Sequence, residues 1–161
     1  MAQDVVCIDA NVLVWGIKSQ SSKGQEDKIS QARAFLEKLD TEQKKVIVPA
    51  PVIGEILVRC TNEERKKFLK EIASRFRIVP FDTQAAVTFS ATFKQTLEDQ
   101  IAKEHRKRYQ TPRGKMKFDL QIISIALVQG ASVIYSNDPD ISTFAGTLIP
   151  VKGIPFTSEE D

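Results

Sequence analysis

A chain of 161 residues is long enough for one full hydrophobic core, and no Pro/Gly/Ser-rich stretch divides it into two self-sufficient halves. Its 23 Lys and Arg against 21 Asp and Glu leave a formal charge of +2, which excludes a polycation that coats nucleic acid through net charge; any such site must be local. No window approaches about 18 apolar residues and no basic region with an apolar stretch opens the chain, so a cytoplasmic protein without a membrane span is expected.

In chain order, residues 5–8 form a β-rich run that stops at Asp9, and residues 11–17 read as the start of a helix. Residues 19–27 are polar and turn-rich, after which Ile29, Ala32, Phe35, Leu36 and Leu39 fall at helical spacing and predict a helix ending near Asp40. Val46, Ile47 and Val48 form a second strand closed by Pro49, and Pro51 suits the first turn of a helix carrying Val52 to Cys60. A basic amphipathic helix over 62–73, a strand over 77–79 and a helix from Thr83 to about Ala102 follow. After a charged segment, residues 118–129 predict a strongly apolar helix ending at Gly130. A strand over 132–135, a turn at Asn137, Asp138 and Pro139, and a last short strand at Leu148 and Ile149 complete the chain. Strands alternating with helices predict an α/β fold with a mostly parallel sheet wrapped on both faces, since parallel neighbours need crossover connections. One domain is expected over 1–156, with an acidic tail at 157–161. Cys7 and Cys60 lie in apolar runs without C-x-x-C spacing and are expected as core thiols.

This topology fixes where the isolated acids go. Ligands in such folds sit at the carboxyl ends of the strands. Asp9 ends the first strand, and Asp138 follows the 132–135 strand by a short turn. Glu55 lies about one turn into the helix leaving the second strand, and Asp119 opens the helix that returns to the 132–135 strand. All four are expected at one edge of the sheet. Glu55 is the only charge between Lys45 and Arg59, and Asp119 shares a helical stripe with Ile122, Ile123, Ala126 and Leu127, so each is expected to point inward. Like charges ~4 Å apart repel by about 4 kcal/mol at an effective dielectric near 20, so such a cluster calls for a counter-charge. Carboxylate oxygens select Mg²⁺ or Mn²⁺, and a single His105 excludes a His-based zinc site. Taken singly, Asp9 and Asp138 also suit helix N-caps, Asp119 suits a first-turn acid, and Glu55 suits a buried ion pair.

Val6-Cys7-Ile8-Asp9-Ala10-Asn11 resembles the opening strand-D-x-N motif of the PIN domain family, and Pro51 to Leu57 its helix-borne Glu. Phe118-Asp119 through Ala126 is similar to the third motif, and Tyr135-Ser136-Asn137-Asp138 to the fourth, with Ser136 in place of the commoner Thr. The resemblance spans nearly the whole chain in order. It implies a three-layer α/β/α fold and a Mg²⁺- or Mn²⁺-dependent ribonuclease acting on RNA. It further implies a VapC-like toxin with an antitoxin partner, and a homodimer. On it, Asp9, Asp119 and Asp138 hold one or two metal ions and Glu55 completes the cluster or orients water. Asn11 and Ser136 hydrogen-bond ligands or substrate, while Asp140 either supports the ligands or is an exposed first-turn acid.

Lys103, Arg106, Lys107, Arg108, Arg113, Lys115 and Lys117 surround Tyr109 with only Glu104 opposing, a segment expected as a loop that tracks phosphates while Tyr109 stacks a base. The basic helix with Arg65, Lys66, Lys67 and Lys70 is expected as a solvated face. Two rival readings remain. Asp9-Ala10-Asn11 also resembles the D-x-D motif of haloacid-dehalogenase-like phosphatases, with Asn11 in place of the general acid. A catalytically silent RNA-binding or interaction module would retain the same pocket without turnover.

Overall fold

The apolar run Val5–Ile8 forms the central strand β1 in a computed structural model that describes residues 3–155. The expected acidic tail at 157–161 lies outside the described residues. Strands β2 (Lys45–Pro49), β3 (Arg77–Val79), β4 (Val133–Tyr135) and β5 (Val151–Lys152) complete a sheet of order β3-β2-β1-β4-β5, every neighbouring pair parallel. Cys7 pairs with Ile47 on one side and Ile134 on the other, and all three are fully buried, as a strand covered on both faces requires.

The connections are helical: α1 (Ala10–Gly16) and α2 (Asp27–Thr41) between β1 and β2, α3 (Ala50–Leu57) and α4 (Asn62–Arg75) between β2 and β3. Helices α5 (Thr83–Glu98), α6 (Gln100–Tyr109) and α7 (Arg113–Val128) bring the chain back across the sheet to β4, and α8 (Pro139–Ala145) leads to β5. The helices pack on both faces and give three layers. On α2, Phe35 sets its ring edge-on to Tyr135 of β4 at 4.5 Å, and α7 packs against α5, α8, β2 and β4. Gly16 brings α1 onto α2, where an added Cβ would stand 2.6 Å from Leu36 Cδ1. Met116, Leu120, Ile122, Ile123 and Ile125 make α7 a core helix. Both cysteines are buried and free, as expected.

From β1 the chain first moves outward to β2 and β3, then returns to add β4 on the other side. The strand order therefore reverses between β1 and β4, which opens a crevice at their carboxyl ends. Asp9 and Ser136 lie on the two lips of this crevice, joined by Asp9 N–H donating to the Tyr135 carbonyl at 3.1 Å.

Three expectations are corrected. The 103–117 segment is not a loop. Asp99 breaks α5 and caps α6 by accepting from Ala102 N–H at 2.8 Å, and α6 runs on to Gln110, whose left-handed backbone (φ 52°) ends it. Helix α7 then begins at Arg113, so Asp119 lies in its second turn and does not open it. The last strand is Val151–Lys152, because Leu148 and Ile149 close the end of α8. There, Leu148 N–H donates to the Ala145 carbonyl at 2.9 Å, and Ile149 is buried. Among the described residues no helix is long and apolar enough to cross a membrane.

Candidate metal centre at the sheet switch point

Asp9 ends β1 and caps α1. Its extended backbone turns the chain, Oδ1 accepts from Ala10 N–H at 2.7 Å, and Oδ2 accepts from the Ser136 hydroxyl at 2.7 Å. The Ser136 oxygen in turn accepts from Asp138 N–H at 3.1 Å, so one buried hydroxyl fixes the two acids relative to each other. Asp138 caps α8 in the same manner, Oδ1 accepting from Asp140 N–H at 2.9 Å. Capping leaves half of each carboxylate for other partners: one oxygen serves the helix, and the other accepts from the Ser136 hydroxyl in Asp9 and from Lys115 in Asp138.

Asp119 enters from α7 with only 1% of its side chain exposed. Oxygens of Asp119, Asp138 and Asp140 lie within 4.8 Å of one another. Into this cluster projects Lys115, four residues before Asp119 on the same helix. Its Nζ donates to Asp119 Oδ1 at 2.7 Å and Oδ2 at 2.6 Å, and to Asp138 Oδ2 at 2.7 Å. Asp140 takes a further partner on its other side, His105 Nε2 at 2.6 Å from Oδ1, and His105 Nδ1 lies 3.4 Å from the Thr143 hydroxyl.

The electrostatics follow from burial of like charges. Desolvation raises the Asp9 carboxyl above the ordinary aspartate range, with Ser136 and Ala10 pulling it back and Asp138 adding repulsion. Burial pushes Asp119 up to about 7 against the pull of Lys115. Burial also works against the Lys115 ammonium, yet its bonds to Asp119 and Asp138 outweigh it and hold the ammonium above the usual lysine range. The two shifts have one origin: the lysine keeps its proton through its acidic neighbours, and its pull only partly offsets the burial that makes Asp119 a weaker acid.

Glu55 departs from its expected place. It is exposed on α3, not buried. Its carboxyl is nevertheless raised, first by the protein mass packed on one side of it and then by the charge of Asp9. It stands at the mouth of the cluster and lines, with Asn11, Trp15, Lys18, Gln25 and Arg59, an open cleft of about 860 Å³. Asn11 Oδ1 is buried there without a hydrogen-bond partner.

The basic residues separate on the two helices. Lys115 turns into the acidic cluster, whereas Arg113 and Lys117 lie over the Phe93 ring at 5.2 and 5.6 Å. Tyr109 is 60% exposed, with Arg108 over its ring at 5.4 Å, and Lys107 is exposed. Arg106 is half-buried, its Nε without a partner. Three contributors escaped the sequence: the place of Lys115, His105 behind Asp140, and Thr111, whose hydroxyl is 3.5 Å from Asp140 Oδ1. Only the first left a trace, the i, i+4 spacing of Lys115 and Asp119.

Asp9, Asp119 and Asp138 offer only carboxylate oxygens, and two of them, Asp119 and Asp138, already bind a positive charge in the form of the Lys115 ammonium. Both features fit a hard divalent cation.

The sequence model described as the PIN domain matches residues 6–146. No curated protein matches the sequence. In fold, the chain is similar to one in the crystal structure of VapBC2 from Rickettsia felis bound to a DNA fragment from their promoter, with a TM-score of 0.61 and 14% identity over 92% of this chain and 98% of that one. It is also similar to a chain of DNA-bound VapBC from Salmonella typhimurium, with a TM-score of 0.57 and 17% identity over 96% of this chain and all of that one.

Proposed function

Because the chain belongs to the PIN domain family, as the match over residues 6–146 establishes, we propose that it is a Mg²⁺- or Mn²⁺-dependent endoribonuclease, the toxin of a toxin-antitoxin pair. The observation that carries this reading is the acidic cation seat at the β1/β4 crevice, where Asp119 and Asp138 already hold an ammonium at 2.6 to 2.7 Å. Asp9, Asp119 and Asp138 would hold the ion. A bound divalent ion supplies charge neutralisation at the phosphate and a more acidic water.

The chain's own residues do the rest. Ser136 keeps Asp9 and Asp138 at fixed separation through its bridging hydroxyl. Glu55, exposed at the mouth of the cluster with a raised carboxyl, orients the attacking water and accepts its proton. Asn11 lines the cleft beside Glu55 and is placed to hydrogen-bond RNA lying there. Arg108, Arg113 and Lys117 track phosphates outside it, and Tyr109 offers a ring face for a base. The antitoxin partner is supported by the fold likeness to chains of VapBC complexes. A phosphatase of the haloacid-dehalogenase type is disfavoured because Asn11 stands where that chemistry needs a second acid.

Asp9→Asn retains a carbonyl oxygen for the Ala10 N–H cap while removing the negative charge. Purified Asp9→Asn with wild-type unfolding behaviour is expected to lose metal-dependent cleavage of single-stranded RNA. Undiminished cleavage overturns the assignment, and wild-type protein that binds Mn²⁺ yet never cleaves RNA supports the silent module instead.

A further inference from the structure

The cation seat is filled from within the chain. Lys115 lies in the first turn of α7, and its Nζ touches three carboxylate oxygens of two residues at 2.6 to 2.7 Å, with Asp140 Oδ2 3.8 Å away. An ammonium so placed takes up the space and the lone pairs that a divalent ion held by Asp119 and Asp138 would need. Two cations do not share a seat of that size, because their mutual repulsion at bonding separation exceeds what the remaining oxygens return. Lys115 is also built to leave. A third of its side chain (34%) is exposed, and its four-carbon stem can swing to solvent by bond rotation alone while the helix stays put. Its neighbours Arg113 and Lys117 are turned onto Phe93, so Lys115 is the cation of this helix start that faces the acids.

We infer that Lys115 is an internal counter-cation that holds the carboxylates together in the metal-free protein and is displaced when a divalent ion enters, so that ion binding and lysine release are one exchange. This rests on the metal-binding reading of the site. In the resting protein the ammonium spares Asp119 and Asp138 from facing each other uncompensated, and it reduces the apparent affinity for the ion to the intrinsic affinity multiplied by the fraction of molecules in which the seat is free. After exchange, the ammonium stands at the pocket rim, where a phosphate oxygen of the substrate is its next available anionic partner.

The test combines calorimetric titration of Mn²⁺ into wild type, Lys115→Met and Asp119→Asn with reductive methylation of wild-type lysines, Lys115 being followed by mass spectrometry with and without Mg²⁺. Lys115→Met is expected to bind Mn²⁺ at least about tenfold more tightly than wild type, since no competitor must first be moved. Asp119→Asn is expected to lose binding, and methylation of Lys115 to rise severalfold when Mg²⁺ is added. If Asp119→Asn loses binding but Lys115→Met matches wild type, or if Mg²⁺ leaves Lys115 labelling unchanged, the exchange is overturned while the metal site stands. If neither wild type nor Lys115→Met binds Mn²⁺, both readings fall. Should Lys115→Met not fold, the labelling of wild type decides alone.

Discussion

Asp119→Asn should stabilise the metal-free protein while removing its activity. Asp119 is 1% exposed and its carboxyl is pushed up to about 7 by burial, against the partial pull of Lys115. In the unfolded chain the same group ionises near the ordinary aspartate value, so between that value and pH 7 the folded state holds a proton that the unfolded state has given up. Stability therefore falls as pH rises through this window, and above pH 7 the ionised group withholds roughly 4 kcal/mol from the folded state. Asparagine matches the shape without the charge. The pull of Lys115 is already contained in that figure, and asparagine, like the protonated acid, still offers the ammonium an uncharged oxygen while Asp138 keeps its own contact to it. The net gain at pH 8 is then on the order of 3 to 4 kcal/mol, shrinking toward zero by pH 4. Urea unfolding with a chelator at pH 4.5 and pH 8 measures it. A variant no more stable than wild type at pH 8, or a difference that does not change with pH, would refute the reasoning.

Two further outcomes follow from the same geometry. Ser136→Ala removes the hydroxyl that bridges Asp9 and Asp138 in a buried place, and is expected to destabilise by about 1.5 to 3 kcal/mol at neutral pH. Ser136→Thr keeps the hydroxyl and should remain within about 0.5 kcal/mol of wild type in the same unfolding assay. Arg113→Gln with Lys117→Gln removes two cations from the surface beside Phe93. If both meet RNA phosphates, the slope of log affinity against log salt for single-stranded RNA flattens by roughly 1.4, and an unchanged slope removes them from the interface.

The sheet and the common edge of Asp9, Asp119 and Asp138 were legible because short apolar runs alternating with helical stripes leave few topologies open, and a parallel sheet gives every strand the same carboxyl edge. Boundaries in charged sequence were not. Residues 103–117 carry no apolar period to mark a helix, so the break at Asp99, a cap that only the folded backbone displays, went unread. Glu55 looked buried because its neighbours Val52, Ile53 and Ile56 are, yet a helix of eight residues has two faces, and Glu55 sits on the open one. Lys115 is one of seven cations between 103 and 117, and nothing in a charge run tells which member turns inward. That depends on where α7 starts.

Asp9 and Asp138 each divide their two oxygens between a helix N-terminus and the crevice. The division holds each carboxylate from both sides, so the atoms that start a helix also set the direction of the oxygens that face the crevice. It also separates two kinds of mutational damage. An amide at either position keeps the oxygen that starts the helix and alters only the outward-facing atom, whereas alanine erases both together. Random change at these positions therefore loosens the fold as it alters the pocket, and a well-folded descendant with a changed pocket is reached most directly through asparagine.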